Sequence, residues 1–229
     1  MIGIAREVAA LTGAPLHLPA DEWQPSGNDQ ASDFVDVRID DPELCNRYTG
    51  TMIVDVTIGE SPKWMQGRLR KAGMRPINNV VDASNYVMLE LGQPTHPYDR
   101  NRLRGPGFVV RAARPGEVVE TLDGVERELG DGEDCLICDA DGAPIGIGGI
   151  MGGASTEIDD DTTDVVLEVA YFAPMVIART SKRINLRTEA SARFERGVDP
   201  EGIERASARF CELIGGGTAT SPLLDVRAG

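Results

Sequence analysis

The stretch from Arg75 to Asp99 constrains this chain more than any other. Val80, Val87, Met88 and Leu91 recur at helical spacing, and Gly92 with Pro94 supply a stop. A helix is therefore predicted to end just before Gly92. Asn78, Asn79, Asp82, Ser84 and Asn85 crowd the same helix, although Asn, Asp and Ser compete locally with helical hydrogen bonding. Asn78 or Asn79 can serve as the N-cap. The remaining polar groups suggest a site. His96, one of two histidines in the chain, follows the break on a loop constrained by Pro94 and Pro97.

Around this helix the pattern is mixed. Residues 4–12 read as a short helix closed by Gly13 and Pro15, and residues 18–33 as a linker. Residues 34–39 and 51–58 alternate like strands. Ser61 and Pro62 open a helix whose one face holds Trp64, Met65 and Leu69. Residues 108–111 form a short strand, and 118–129 a hairpin turning at Asp123-Gly124. A second hairpin joins 136–138 to 144–147, and 165–170 is a strand that contains a carboxylate. Residues 173–184 and 200–214 are helical, and a poorly ordered tail is expected after the three glycines at 215–217. Irregular alternation with frequent hairpins favours α+β: mainly antiparallel or mixed sheets packed with helices.

Several function classes lose ground on composition. No apolar run approaches the ~20 residues of a membrane span, and the start lacks the basic-then-apolar order of a signal peptide. No membrane partner and a cytoplasmic location are the expectation. A net charge of −14 argues against a general nucleic-acid binder. Two windows run the other way. Lys63 to Arg75 carries five cations and no acid, and Arg179 to Arg196 carries six cations against Glu189 and Glu195. Each is either a solvated helix face or a docking patch for an anion. Cys135 and Cys138 are formally a CxxC, but on a strand residues three apart face opposite ways. With no second CxxC and only His17 and His96 as histidines, no metal site is expected and the thiols read as buried.

Three other stretches could carry chemistry. The run from Gly146 to Gly153 lacks the Lys-Ser/Thr of a phosphate loop and leads into acidic sequence. It reads as close backbone approach to a strand or a ligand, a glycine wall against which a flat substrate can lie. Glu168 sits between Leu167 and Val169, where a strand should be apolar. It either faces outward on a half-exposed strand or is aimed into a pocket. From Thr188 to Pro200, hydroxyl and small residues lead into a charged helix, with Thr188 or Ser191 as cap and Ala190 leaving room. These residues sketch a pocket with one His, one Glu, an Arg and a glycine wall. They do not identify a reaction.

The Arg75–Asp99 stretch, Gly149 to Gly153, Leu167-Glu168 with Ala170 to Phe172, and Arg187 to Ser191 running on to Arg196–Pro200 occur in one order and spacing. Together they closely resemble the B3/B4 editing module of the bacterial phenylalanyl-tRNA synthetase β subunit, over about residues 42–217. The resemblance implies a short helix and linker from a preceding domain at 1–33, the editing domain at 34–217, and a tail or the start of a next domain at 218–229. The family usually has His-Ala-Phe-Asp at His96–Asp99 and commonly Thr at Ser84. Class II synthetase motifs, a tRNA-binding OB domain and an anticodon-binding domain are not found, so the chain looks like a piece of a larger subunit.

In that family the module hydrolyses tyrosine wrongly esterified to the phenylalanine tRNA. The physical need is plain: an apolar pocket rejects an analogue that merely adds a hydroxyl by only about a hundredfold, so a second site must select for the hydroxyl. Carried over by matching motif, Glu168 reads the tyrosine hydroxyl. His96 and Arg75 line the site near the ester and terminal adenosine. Gly152, Thr188 and Ala190 shape the wall, joined by Ser84, Asn85 and Gly149. The Gly149 or Thr188 main-chain N–H would stabilise the oxyanion. The implied partners are the tRNA(Phe) acceptor end, a tyrosine or phenylalanine ester, and the synthetase α subunit. No cofactor is implied for this piece; ATP and magnesium would serve the parent ligase. The alternative is a non-catalytic tRNA- or protein-binding module, which the net charge and the lack of a familiar triad favour.

Overall fold

The computed structural model describes residues 1–18, 24–26, 30–130, 132–214 and 219–228. Its elements run α1 (Ile2–Thr12), β1 (Asp36–Ile39), β2 (Cys45–Val54), α2 (Lys63–Lys71), α3 (Asn79–Leu91), β3 (His96–Asp99), β4 (Gly107–Ala112), β5 (Glu117–Glu120) and β6 (Glu126–Leu129). They continue β7 (Cys135–Asp139), β8 (Pro144–Ile147), β9 (Met151–Gly152), β10 (Val165–Phe172), α4 (Pro174–Arg183), α5 (Ser191–Phe194), α6 (Ile203–Ile214), β11 (Ala219–Thr220) and β12 (Leu224–Arg227). One sheet has the order β1-β4-β7-β8-β9; the other is β11-β2-β10-β3, with β12 also on β2. Only the β1–β4 pair is parallel among the described strands. The class is α+β with antiparallel and mixed sheets, as the hairpin-rich pattern predicts.

β10 is the organising strand, because both of its faces are buried. Val165, Leu167 and Val169 join Val80, Ala83 and Val87 of α3 and Ile203, Ala206 and Phe210 of α6 in one core. Val166, Ala170 and Phe172 point the other way, into the core between the two sheets. A strand covered on both faces loses the in–out alternation that half-exposed strands show. Glu168 therefore cannot face outward, and it is only 6% exposed.

α3 forms where its periodicity places it, and its cap is Asn78, whose side chain accepts from the Val81 N–H at 2.9 Å. Gly92 closes it in the left-handed conformation at φ 83°, which glycine adopts without a Cβ clash. Asp82 is buried in its first turn. Its Oδ2 accepts from Ser61 Oγ and its Oδ1 from the Ile77 N–H, so it ties the start of α3 to the approach to α2.

Several expectations need correction. His96 lies on a strand, not a loop. Pro97 is tolerated there because β3 is the edge of its sheet. β2 begins at Cys45 and ends at Val54, not at 51–58: Asp55 takes φ 58° and breaks it. Its first half escaped the apolar pattern because it buries polar residues. Arg47 pairs with Asp225 and Glu204, and Thr49 Oγ1 donates to the Val169 carbonyl at 2.6 Å. Residues 224–227 form β12 along β2 instead of a loose tail. Trp64 is half exposed on α2, while Met65 and Leu69 are fully buried. The linker residues 19–23 and 27–29 and the glycines at 215–217 lie outside the described residues.

Candidate functional site

β3 and β10 pair so that His96 stands opposite Glu168. Paired residues on antiparallel strands share a face, and so do residues two apart. Tyr98, two beyond His96, thus joins Glu168. So does Tyr48 of β2, which lies two residues from Gly50, the partner of Glu168 on the other side. Both tyrosine hydroxyls donate to the same carboxylate oxygen: Tyr98 to Oε2 at 2.7 Å and Tyr48 to Oε2 at 3.1 Å. Oε1 receives no hydrogen bond and is open to a cavity. Burial pushes the Glu168 carboxyl up to about 7, against the two tyrosine hydrogen bonds, which favour its ionised form. Burial holds the His96 ring down to about 4, so it is neutral at physiological pH. Its ring sits edge-on to Tyr98 with centroids 4.5 Å apart.

The cavity against Glu168 has a volume of about 70 Å³ and is lined by Tyr98, Ile137, Gly149 and Phe194 as well as His96. A larger outer chamber of about 370 Å³ lies between α3, the β8–β9 region and residues 188–190. Thr95, His96, Ile150, Met151, Gly152 and Ala190 line both, so His96 stands at their junction. Gly146, Gly149 and Gly152 line the inner cavity, but the nearest neighbours over Gly149 are Phe172 and Ile177, and over Gly152 the His96 ring. A Cβ there would stand 2.3 Å from His96 Nε2. Gly149 is held at φ 68°, where other residues are strained.

The remaining candidates divide by position. Ser84 and Asn85 line the outer chamber. Ser84 Oγ donates to the Thr95 carbonyl at 2.6 Å and accepts from Thr95 Oγ1 at 2.9 Å, fixing the start of β3. The Asn85 side chain makes no hydrogen bond among the described residues. Thr188 Oγ1 donates to the Ile150 carbonyl at 2.8 Å and accepts from the Ser191 N–H at 3.0 Å, so it ties the first residue of α5 to the glycine wall, while the N-cap position itself is Ala190. Its own N–H donates to Ser191 Oγ at 2.9 Å. The expectation of a Thr188 oxyanion donor fails for that reason; the Gly149 N–H makes none of the backbone hydrogen bonds seen. Arg75 is exposed and lines neither chamber, but it precedes Ile77 at the rim of the outer one. Tyr48, Tyr98 and Met151 are the site residues that the sequence left out. Reading residues 96–99 as a strand would have put Tyr98 on the face of His96.

Of the two basic windows, the second is largely paired. Arg183 meets the buried Asp134, Arg187 meets Glu195, and Arg193 meets Glu189. In the first, Arg68 stacks against Trp64 and Tyr86, while Arg70, Lys71 and Arg75 form no salt bridge among the described residues. All four cysteines are free and buried. Among the described residues no three His, Cys, Asp or Glu side chains are placed to hold a metal, and no helix is long and apolar enough to cross a membrane.

A family model described as the B3/4 domain matches residues 44–216. The chain is 50% identical over 220 residues to a phenylalanine–tRNA ligase β subunit from Carboxydothermus hydrogenoformans, which covers 94% of this chain and 27% of that protein. It is 50% identical over 223 residues to the same subunit from Moorella thermoacetica, covering 96% and 27%. The Symbiobacterium thermophilum subunit is 44% identical over 229 residues, covering 99% and 25%. The chain thus spans about a quarter of the length of these relatives. A solved N-terminal fragment of the phenylalanyl-tRNA synthetase β-subunit from Pyrococcus horikoshii aligns at 14% identity and TM-score 0.45, over 79% of this chain and 56% of that one.

Proposed function

This chain belongs to the B3/4 domain family, and from that premise we propose that it is the editing module of a phenylalanine–tRNA ligase β subunit, hydrolysing the ester of tyrosine mischarged onto tRNA(Phe). The observation that carries the reading is the half-satisfied carboxylate: Glu168 is buried in a cavity with Oε2 bonded twice and Oε1 open. A tyrosine phenol donates to Oε1. A phenylalanine ring leaves that acceptor desolvated and unpaired, at a cost of about 1–3 kcal/mol. The preference this produces is for the hydroxylated side chain, opposite to that of an apolar pocket.

The inner cavity, about 70 Å³, is smaller than the ~150 Å³ hole that takes benzene. Entry of a phenol therefore displaces the Met151 side chain, which lines both chambers, and joins the two. The ester then lies at their junction, beside His96. A ring held neutral with a pKa near 4 is a weak general base at pH 7, so His96 orients the attacking water; the water oxygen bonds to the ester carbonyl carbon, the bond to the ribose oxygen breaks, and the water's proton passes to that leaving oxygen by way of the neighbouring ribose hydroxyl. The Gly149 N–H is the remaining main-chain donor for the oxyanion. Ser84, Asn85, Thr188 and Ala190 shape the chamber for the terminal adenosine. Arg75 and the unpaired cations of α2 meet its phosphates. The reaction uses water and this chain's side chains. ATP, magnesium and the α subunit would belong to aminoacylation, carried by other parts of the parent ligase.

The test is deacylation of tyrosyl-tRNA(Phe) and phenylalanyl-tRNA(Phe) by this chain, against a protein-free control. Tyrosyl ester should be cleaved faster, and Glu168→Ala should cut the tyrosine-over-phenylalanine preference by about tenfold to a hundredfold. Rates equal to the control would overturn autonomous hydrolysis. An unchanged preference in Glu168→Ala would overturn the role of Glu168.

A further inference from the structure

Glu168 does not meet a ligand with two equivalent oxygens. Two buried tyrosines, one from each flanking strand, converge on Oε2 and none reaches Oε1. The three residues come from three adjacent strands of one sheet, and Tyr48 and Tyr98 both pack on Phe108 of the other sheet, with ring centroids 5.7 and 5.0 Å away. Rings wedged in this way cannot follow the carboxylate if it turns. The carboxyl plane is therefore fixed by the core, and one oxygen only is presented to the cavity.

We propose that Tyr48 and Tyr98 are positioning residues for specificity: by occupying Oε2 they leave Oε1 as the single acceptor offered to a bound side chain, and so make the pocket select a phenol. The proposal rests on the hydrolase reading above and names two residues that set the selectivity of its site. The same two hydroxyls act on ionisation. Burial raises the Glu168 carboxyl, while the Tyr98 and Tyr48 hydrogen bonds oppose that rise. The other titratable groups facing it are Cys45 of β2, His96 of β3 and Cys135 of β7. His96 is held neutral, and both thiols are pushed up by burial, so none of the three is charged near pH 7. In this chain the hydroxyl pair thus holds the carboxyl closer to its ionised range than burial alone would. A protonated carboxyl would instead offer a competing donor to the phenol.

The experiment compares wild type, Tyr98→Phe and Tyr48→Phe, each checked for a cooperative thermal transition. The tyrosyl-over-phenylalanyl preference in deacylation is followed from about pH 6 to about pH 9. Loss of the Tyr98 hydroxyl should lower the preference at pH 7 by roughly tenfold, the scale of a hydrogen bond to a charged group. It should also move the pH at which the preference is half-developed upward by about one unit. Tyr48→Phe, which loses the longer bond, should show the same two changes at smaller size. Tyrosyl-ester cleavage should fall more than phenylalanyl-ester cleavage in both, whereas a general loss of packing would lower the two alike. If wild type shows the preference and both variants keep its size and pH midpoint, the role of the pair is overturned while the reading of the site stands. If wild type shows no preference, the reading of the site falls and the pair's role with it.

Discussion

Two buried carboxylates, Asp82 and Glu168, look equally out of place in the sequence, and the structure uses them in opposite ways. Asp82 has both oxygens engaged, Oδ2 by Ser61 and Oδ1 by the Ile77 N–H, and it sits at the N-terminal end of α3, where the helix dipole favours an anion. It lines neither chamber. Glu168 has two donors as well, but both on one oxygen. The count of hydrogen bonds is the same; their distribution separates a joint in the fold from a site. A carboxylate oxygen left open toward a cavity inside the core is the difference that points to a ligand.

The largest effect expected from breaking this contrast is on stability. Asp82→Ala strips two donors of their acceptor at the junction of α2 and α3. Thermal or urea unfolding should show a loss of about 3 kcal/mol, the scale of orphaned buried partners. The tyrosine preference of the folded fraction should be unaltered. Glu168→Ala should do the reverse and change selectivity far more than stability. If Asp82→Ala abolishes the preference while leaving unfolding unchanged, the assignment of the two carboxylates is the wrong way round.

Gly152 sharpens the contrast from the side of the wall. A methyl group there would stand 2.3 Å from His96 Nε2, so the ring or the β9 backbone must shift. Displacing a group at the reacting centre by about 1 Å can cost on the order of a hundredfold. If His96 acts on the ester and not on the side chain, as the proposed function has it, Gly152→Ala should lower deacylation of both esters about a hundredfold. The ratio between the esters should be nearly kept. A variant with full activity would show that the His96 position is immaterial.

The legible part of this molecule was the local part. α3, its stop at Gly92 and the two hairpins follow from period and turn chemistry that neighbours in sequence share. Glu168 stayed ambiguous because its environment is set by β2 and β3, far away in sequence, and a strand covered on both faces has no alternation to betray which way it points. Asp82 was unreadable for the same reason: its partner Ser61 belongs to the approach to another helix. The strand at 96–99 was hidden by Pro97, which only an edge position permits. The family motifs named His96, Glu168, Gly152, Thr188 and Ala190, all of which line the two chambers. Arg75 was named with them and stands outside. Tyr48 lies outside every family motif, and only the pairing of β2 with β10 brings it to Glu168.

The smallest expected effect lies in the pH dependence of stability, where the site's two titratable groups pull in opposite directions. The Glu168 carboxyl is raised from its ordinary 4.5 to about 7. The folded state then binds a proton more tightly than the unfolded chain, and this contribution, fully present below about pH 4.5, is lost as pH rises through about 7. His96 is lowered from 6.5 to about 4. Its contribution is present above about pH 6.5 and is lost as pH falls through about 4. Between these limits the two slopes oppose one another, and wild type should show little net change from this pair. Glu168→Gln removes one of them. The variant's stability relative to wild type should therefore rise with pH, by about 2 kcal/mol between about pH 5 and pH 8, in denaturant unfolding at matched ionic strength. A difference that is flat across that range would mean that Glu168 titrates in the folded protein as it does in the unfolded chain. The open oxygen would then face water, not a desolvated pocket.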